Sequence, residues 1–243
     1  MKVAQVWFDV FSRSGKEDLI RKLGLVDGIV VIVNHLGDSI YFAMVYDNED
    51  SFRRRLELVQ RLANPQNLFH SELWLPPSQV LLSESDFEVV QQVQANPRGS
   101  YAEIAGKLGF STRTVKRRLA RMIEGKAVFV LPSMDPAALQ GALVADLLVT
   151  YSDLGQKAKL DAEVATRFEA FLARAEVINQ EVSFFNLFLG NISQAQCIMD
   201  WVKNKPGVAT AKMDLVQSRL EVYDSLGQNP NREQIREPLR RFA

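Results

Sequence analysis

The same order of secondary-structure patterns occurs at both ends of the chain, and this repeat constrains the fold more than any other feature. In the first part, an alternating run of apolar and polar residues predicts a strand at 3–11, and further strands are predicted at 28–34, 39–46 and 68–75. Helical spacing predicts one helix after the first strand and a second helix before the last. The resulting order, β-α-β-β-α-β, is that of a ferredoxin-like domain.

The C-terminal part repeats this order without repeating its residues. A strand at 143–151 precedes a helix with Leu160, Val164, Phe168, Phe171 and Ala175 at helical spacing. Further strands are predicted at 177–182, 184–190 and about 208–223. We therefore predict an α+β protein with four parts: a ferredoxin-like domain at 1–77, a middle domain at 81–141, a second ferredoxin-like domain at 142–226, and a tail with a short helix at 227–243.

Capping boxes predict where several helices begin. In such a box a serine side chain and a Glu or Gln three residues later each bond the other's backbone N–H. This spacing occurs at Ser14–Glu17, Ser100–Glu103 and Ser193–Gln196.

The middle domain has the pattern of a helix-turn-helix. Ser100 opens a short helix, and Gly109 ends it where a left-handed residue is needed. Ser111 caps the next helix, whose apolar stripe consists of Val115, Leu119 and Met122. Two short helices joined by a tight glycine turn form such a unit.

Positive charge is concentrated on the second of these helices. The whole chain balances 29 basic against 29 acidic residues, yet residues 109–126 contain six basic side chains and one acidic side chain, Glu124. A basic helix of this size fits the major groove of DNA. We predict contacts with double-stranded DNA by Ser111, Thr112, Arg113, Lys116, Arg117, Arg118, Arg121 and Lys126.

The helix geometry divides these contacts between bases and phosphates. With Val115 facing the core, Arg113 and Arg117 point away from it and are predicted to contact base edges. Arg118 and Arg121 are assigned to phosphates. The alternative is a solvated basic face without a partner.

The run 100-SYAEIAGKLGFSTRTVKRRLARM-122 is similar to the helix-turn-helix of Lrp/AsnC (feast/famine) transcriptional regulators. In that family the second helix ends R-R-V-x-R-L, matched here by Arg117, Arg118, Leu119, Arg121 and Met122. Downstream, Asp135-Pro136…Leu139 is similar to the family's D-P-x-x-L-G, which connects the winged domain to a βαββαβ effector domain. The resemblance covers roughly 81–223. It implies a sequence-specific regulator with one winged helix-turn-helix per chain.

The chain departs from this family in two places. The family usually begins with its DNA-binding domain, whereas here another ferredoxin-like domain comes first. Family effector sites lie near a Gly-Asp pair between the second and third strands, and 180-QEVSFFN-186 stands there in the second ferredoxin-like domain. Gly37 and Asp38 occupy the equivalent point of the first. A site for a small-molecule effector is therefore predicted at these two residues only.

No catalytic arrangement emerges, so an enzyme is not predicted, nor is a cofactor or a metal site. The two histidines, His35 and His70, lie in different elements and are interpreted as structural. The alternative is an enzyme similar to the siroheme decarboxylases, which resemble Lrp/AsnC proteins and would use histidine and arginine around a tetrapyrrole. A third reading is a regulatory interaction protein that does not bind DNA.

The sequence also bears on where the protein acts and how it assembles. The single cysteine, Cys197, excludes an internal disulfide, and the N-terminus lacks the apolar stretch of a signal peptide, which favours the cytoplasm. The longest apolar runs are too short to span a membrane. Residues such as Trp7 and Phe184 give both sheets apolar groups on both faces. Those faces could meet within one chain or between two chains, and we predict a homodimer.

Overall fold

A computed structural model describes residues 2–11, 14–73, 76–130, 136–177 and 181–222, with the backbone alone at 137 and 173–177. The described residues form two compact units. The larger combines the N-terminal part up to Leu73 with the C-terminal part up to Val222, and the smaller contains the middle of the chain up to residue 130.

The larger unit consists of two halves with the same element order. The first half contains β1 (Lys2–Asp9), α1 (Lys16–Leu23), β2 (Ile29–His35), β3 (Ser39–Tyr46), α2 (Glu49–Ala63) and β4 (Gln66–Leu73). The second half contains β5 (Leu143–Tyr151), α6 (Leu154–Arg167), β6 (Leu172–Val177), β7 (Val182–Leu189), α7 (Ile192–Lys203) and β8 (Val208–Glu221). A short 3₁₀ turn, Pro136–Ala138, precedes β5. The predicted α+β class and both βαββαβ repeats are confirmed.

All eight strands belong to one sheet, in the order β4-β1-β3-β2-β8-β5-β7-β6. The long strand β8 joins the two halves, because its first part pairs with β5 and its second part pairs with β2. The change of partner falls between Leu215, opposite Ala145, and Val216, opposite His35. The halves are therefore linked by backbone hydrogen bonds along the edge of each.

Helices cover one face of each half. In the second half, alternate strand residues such as Leu147 and Phe185 pack against Leu160 of α6 and Ile198 of α7. In the first half, Phe8, Phe42 and their alternate neighbours are fully buried in the same way. This alternation follows from the two-residue period of a strand.

The faces without helices, called here the helix-free faces, meet each other within the chain. Trp7 and Phe184 come from opposite halves, and their ring centroids lie 6.2 Å apart. Tyr41, Phe69 and Leu148 pack around them. Of the two arrangements left open by the sequence, this structure has the one within a single chain.

Polar side chains also cross between the helix-free faces. His35 Nε2 lies 2.9 Å from the carboxylate of Asp146, and Asn186 donates a 2.6 Å hydrogen bond to the other oxygen of that carboxylate. Lys212 donates a 2.6 Å hydrogen bond to Asp9. Burial alone would raise the pKa of Asp9, but its hydrogen bonds, led by the one from Lys212, outweigh burial and lower the pKa.

The smaller unit consists of three helices: α3 (Glu84–Ala95), α4 (Tyr101–Leu108) and α5 (Thr112–Glu124). Their shared core contains Val89, Val90, Ile104, Ala105, Val115, Leu119 and Met122. No strand is assigned within 76–130, so wing strands are not among the described residues of this unit.

Three local predictions in the larger unit are wrong. Helix α1 begins at Lys16 with Gly15, at φ +88°, in the N-cap position, so Ser14 is not the N-cap residue that the box predicts. Helix α7 is capped by Asn191 rather than Ser193. The strand predicted at 177–182 lies at Leu172–Val177, since α6 ends at Arg167 and a turn follows at Phe168. The helix predicted in the tail at 227–243 and the Asp135 motif residue lie outside the described residues.

Candidate DNA-binding surface

The turn between α4 and α5 is built by local backbone chemistry. Both bonds of the predicted box are present, from Glu103 N–H to Ser100 Oγ (3.2 Å) and from Ser100 N–H to Glu103 Oε2 (3.0 Å). Gly109 ends α4 in the left-handed conformation, with φ +69°. Ser111 Oγ then accepts the Thr114 N–H at 3.1 Å and starts α5. These bonds fix the direction in which α5 leaves the turn.

The apolar stripe fixes the rotation of α5 about its own axis. Val115 and Met122 are completely buried, and Leu119 is 8% exposed. They pack against Val89 of α3 and Ile104 of α4. The side chains on the opposite side of α5 must therefore face solvent.

Arg113, Lys116 and Arg117 form that solvent-facing side, called here the free basic face. All three are exposed, and they are spaced i, i+3 and i+4, which places them on one side of a helix. Within the part of the chain that the structure describes, no carboxylate pairs with any of them. Thr112, at the start of α5, is exposed beside them. This surface can donate hydrogen bonds to anions or base edges.

Arg118 and Arg121 have a different environment. Arg118 Nη1 donates to Asp86 Oδ1 at 2.7 Å, and Arg121 Nη2 donates to Asp86 Oδ2 at 2.5 Å. Asp86 belongs to α3 and is completely buried. Burial by itself would raise the pKa of Asp86, but the hydrogen bonds from Ser83 and from both guanidinium groups hold it well below the ordinary range of a carboxyl.

The remaining predicted contacts lie at the two ends of α5. The Ser111 hydroxyl is engaged as the cap and in a 2.9 Å bond with the Thr114 hydroxyl. Lys126 follows α5 and is exposed, with a left-handed backbone at φ +57°. The structure thus brings all eight predicted residues onto one helix and its ends. Their contacts with DNA stay a prediction.

Sequence reasoning did not identify Asp86 as part of this surface. The signal that could have revealed its role is the i, i+3 spacing of Arg118 and Arg121, on the border of the buried stripe of α5. A buried carboxylate needs cationic partners, and these two arginines supply them.

The two predicted effector residues lie in the loop between β2 and β3. The carbonyl oxygen of Gly37 accepts a 2.8 Å hydrogen bond from the buried Lys16 ammonium, which also bonds the carbonyls of His35 and Ser39. The carbonyl of Asp38 accepts the Val10 N–H. Both carbonyls therefore serve the fold, and effector binding here stays a prediction.

The histidines do not converge on a site. His35 is 1% exposed and bonds Asp146, whereas His70 lies on β4 against the Phe52 ring. Among the described residues no group of three or more His, Cys, Asp or Glu side chains could hold a metal ion.

No helix in the described part of the chain is long and apolar enough to cross a bilayer.

Comparison with protein families gives one match. Residues 82–125 match a family described as winged helix-turn-helix DNA-binding. The middle unit is a winged helix-turn-helix domain. This assignment confirms the helix-turn-helix predicted from the Gly109 turn and places the free basic face on the second helix of that domain. No curated protein sequence matches the chain significantly.

Solved structures resemble larger parts of the chain. The siroheme decarboxylase NirDL is 11% identical, covers 98% of this chain and 79% of its own, and has a TM-score of 0.59. AsnC from E. coli is 15% identical and covers 57% of this chain and 94% of its own, with a TM-score of 0.46. The regulator NMB0573 from Neisseria meningitidis, in complex with L-Met, is 17% identical and covers 63% and 99%, with a TM-score of 0.46.

At these identities the likeness concerns the fold alone. The match to NirDL extends over nearly the whole chain, including the ferredoxin-like half before the winged helix-turn-helix domain. The Lrp/AsnC-like winged helix-turn-helix domain and the extra N-terminal domain, both predicted from the sequence, are confirmed at that level.

Proposed function

We propose that this protein is a transcriptional regulator that binds double-stranded DNA sequence-specifically by placing α5 in the major groove. The observation that carries the proposal is the free basic face. Arg113, Lys116 and Arg117 are exposed, and no carboxylate of the described residues pairs with them. The other side of their helix packs into a core. Solvated helix faces usually mix signs, whereas this side of α5 carries three cations and a single acid, Glu124, at its C-terminal end.

The chemistry of the face suits base reading. An arginine fork can donate two hydrogen bonds to guanine O6 and N7, and each good bidentate pair discriminates between bases by about 1–3 kcal/mol. Arg113 and Arg117 are four residues apart, so they reach neighbouring positions along one groove. Lys116 and Thr112 lie beside them and assist.

The proposal includes two chains on one operator and action in the cytoplasm. Each chain has one winged helix-turn-helix domain, and one such domain offers limited interface for specificity. Two recognition helices related by a twofold axis would read a palindrome. Since the helix-free faces already meet within the chain, such a homodimer needs another surface. Light scattering of the protein with operator DNA tests this, and the mass of one chain would contradict it.

A small-molecule effector is a further element of the proposal. Its support is the position of Gly37 and Asp38 in the loop between β2 and β3. Thermal unfolding in the presence of each amino acid tests the idea, because a ligand that binds the folded state raises the melting temperature. An unchanged melting temperature with every amino acid would contradict an amino-acid effector.

Siroheme chemistry is the second candidate, favoured by the fold likeness to NirDL. The histidine chemistry of the described residues does not favour it, because His35 is buried and bonded to Asp146, and His70 stands apart on β4. Adding siroheme to the purified protein separates the candidates. A shifted visible absorption spectrum with stoichiometric binding would support the enzyme.

The direct test of DNA binding is its salt dependence. We expect the affinity for a labelled duplex to fall steeply with salt, because each phosphate neutralised by a cation contributes about 0.9 to the logarithmic slope. Fluorescence anisotropy at several salt concentrations measures this slope. A nearly flat dependence would contradict the proposal.

A further inference from the structure

We infer that Asp86 is a positioning residue for DNA reading: it clamps α5 to α3 through Arg118 and Arg121 and so removes both arginines from the phosphate contacts. The inference rests on the proposed function, because it concerns which cations of α5 reach DNA. It reverses the assignment of these two arginines that the sequence alone suggested.

The clamp is a single buried carboxylate with four donors. Two come from the start of α3, where Ser83 N–H and Ser83 Oγ donate to Asp86 Oδ2 at 2.9 and 2.7 Å. The other two come from α5, as the guanidinium bonds of Arg118 and Arg121. Each carboxylate oxygen receives at least one guanidinium bond. The carboxylate is thereby fully engaged.

Moving either arginine away from this carboxylate costs free energy. A buried ionised carboxylate is strongly unfavourable unless cations remain close to it. Arg118 is held further by the ring of Phe110, whose centroid lies 5.7 Å from the guanidinium carbon, and its side chain is only 28% exposed. In the described part of the chain, the residues of the free basic face have no carboxylate partner that would hold them in place.

Helical spacing separates the two sets of cations. Arg118 and Arg121 are three residues apart and lie on the side of α5 that faces α3, as their shared partner shows. Arg113, Lys116 and Arg117 lie on the side away from the buried stripe. Asp86 therefore fixes the position in which α5 presents the free basic face, and of the two sets of cations on α5 only that face is available for counterion release.

The experiment measures the logarithmic salt slope of binding to a labelled random-sequence duplex, with the full chain. On a random-sequence duplex the Arg117 guanidinium has no matched base to read and is expected to neutralise a phosphate instead. Arg117→Gln should therefore reduce the slope by about 0.9. The matched variants are Arg118→Gln and Arg121→Gln, which make the same substitution on the same helix. We expect them to leave the slope unchanged and to lower the melting temperature. An equal reduction of the slope by Arg118→Gln or Arg121→Gln would overturn the inference.

Asp86→Asn provides a second measurement that does not depend on those variants folding. It keeps the size of the side chain but removes the charge that holds both arginines. The freed arginines are then expected to steepen the slope by about 0.9 or more. An unchanged slope would show that both arginines already contact phosphates. If the wild-type protein binds no DNA, the proposed function fails as well; if it binds and only these slopes disagree, this inference alone fails.

Discussion

At the scale of single residues, the winged helix-turn-helix domain uses the same side-chain type for two purposes. Arg113 and Arg117 are exposed and have no carboxylate partner among the residues that the structure describes, whereas Arg118 and Arg121 share the buried carboxylate of Asp86. The residue type is the same, but the two pairs lie on different sides of α5 and therefore in different environments. The number of basic residues on a helix is therefore larger than the number of cations that can contact a binding partner.

The clamp also predicts how stability depends on pH. The folded-state pKa of Asp86 is lowered, so its contribution to stability is present above the unfolded pKa of about 4 and is lost as the pH falls below it. Asp86→Asn should lower the free energy of unfolding by about 3 kcal/mol at neutral pH. That difference should shrink below about pH 4. Urea unfolding followed by circular dichroism checks it, and a difference independent of pH would contradict it.

At the scale of elements, the sequence predicts helix limits that depend on nearby residues but does not predict which strands pair across long distances in the chain. The limits of α5 follow from Ser111 and from the stripe of Val115, Leu119 and Met122, all within thirteen residues. The strand β6 was misplaced because Phe168, Phe171 and Ala175 continue the helical spacing of α6, and a short apolar run suits a helix or a strand equally. Pairing with β7 decides the outcome, and no local pattern encodes it.

The candidate site shows the same division between local features, which the sequence predicts, and long-range contacts, which it does not. All eight residues lie on α5 or at its ends because a helix places residues by spacing alone. The partnership of Arg118 with Asp86 spans 32 positions and depends on how α3 packs against α5. The joining of β2 to β8 was unpredictable for the same reason.

Substituting Gly125, at the end of α5, tests how that helix is anchored, and Gly106 in α4 provides the control. A Cβ at Gly125 would lie 2.7 Å from Val80 Cγ1 and 2.9 Å from the Arg121 carbonyl oxygen, while Gln79 N–H bonds the Gly125 carbonyl. Gly125→Ala should therefore cost about 1–3 kcal/mol of stability. Gly106, inside α4, has open space around it, so Gly106→Ala should instead stabilise by about 0.5–1 kcal/mol. Calorimetric melting compares them, and equal effects would contradict the close contact with Val80.

At the scale of the whole chain, the two ferredoxin-like halves complete each other. The helix-free face of each half would expose aromatic side chains if it stood alone, and exposed apolar patches of that kind promote association. Trp7, Phe69 and Phe184 instead pack together within one chain. Strand β8 adds backbone hydrogen bonds between the halves.

This internal pairing predicts a cross-link. Lys212 Nζ lies 2.6 Å from Asp9 Oδ1, close enough for a carbodiimide to join them as an amide. In a mixture of isotopically light and heavy chains, we expect the cross-linked peptides to be wholly light or wholly heavy. Mass spectrometry reads this directly. Mixed light–heavy peptides would show that the halves pair between chains.

The most direct test of the central claim is selection of bound duplexes from a random pool, followed by affinity measurement on the selected sequence. We expect the wild-type protein to enrich one sequence family. Arg113→Ala with Arg117→Ala should lower the preference over random duplex by about tenfold or more. Arg54→Ala, an exposed arginine on α2, should leave it unchanged. Failure of the wild-type protein to enrich any sequence, or an undiminished preference in the double variant, would contradict DNA reading by α5.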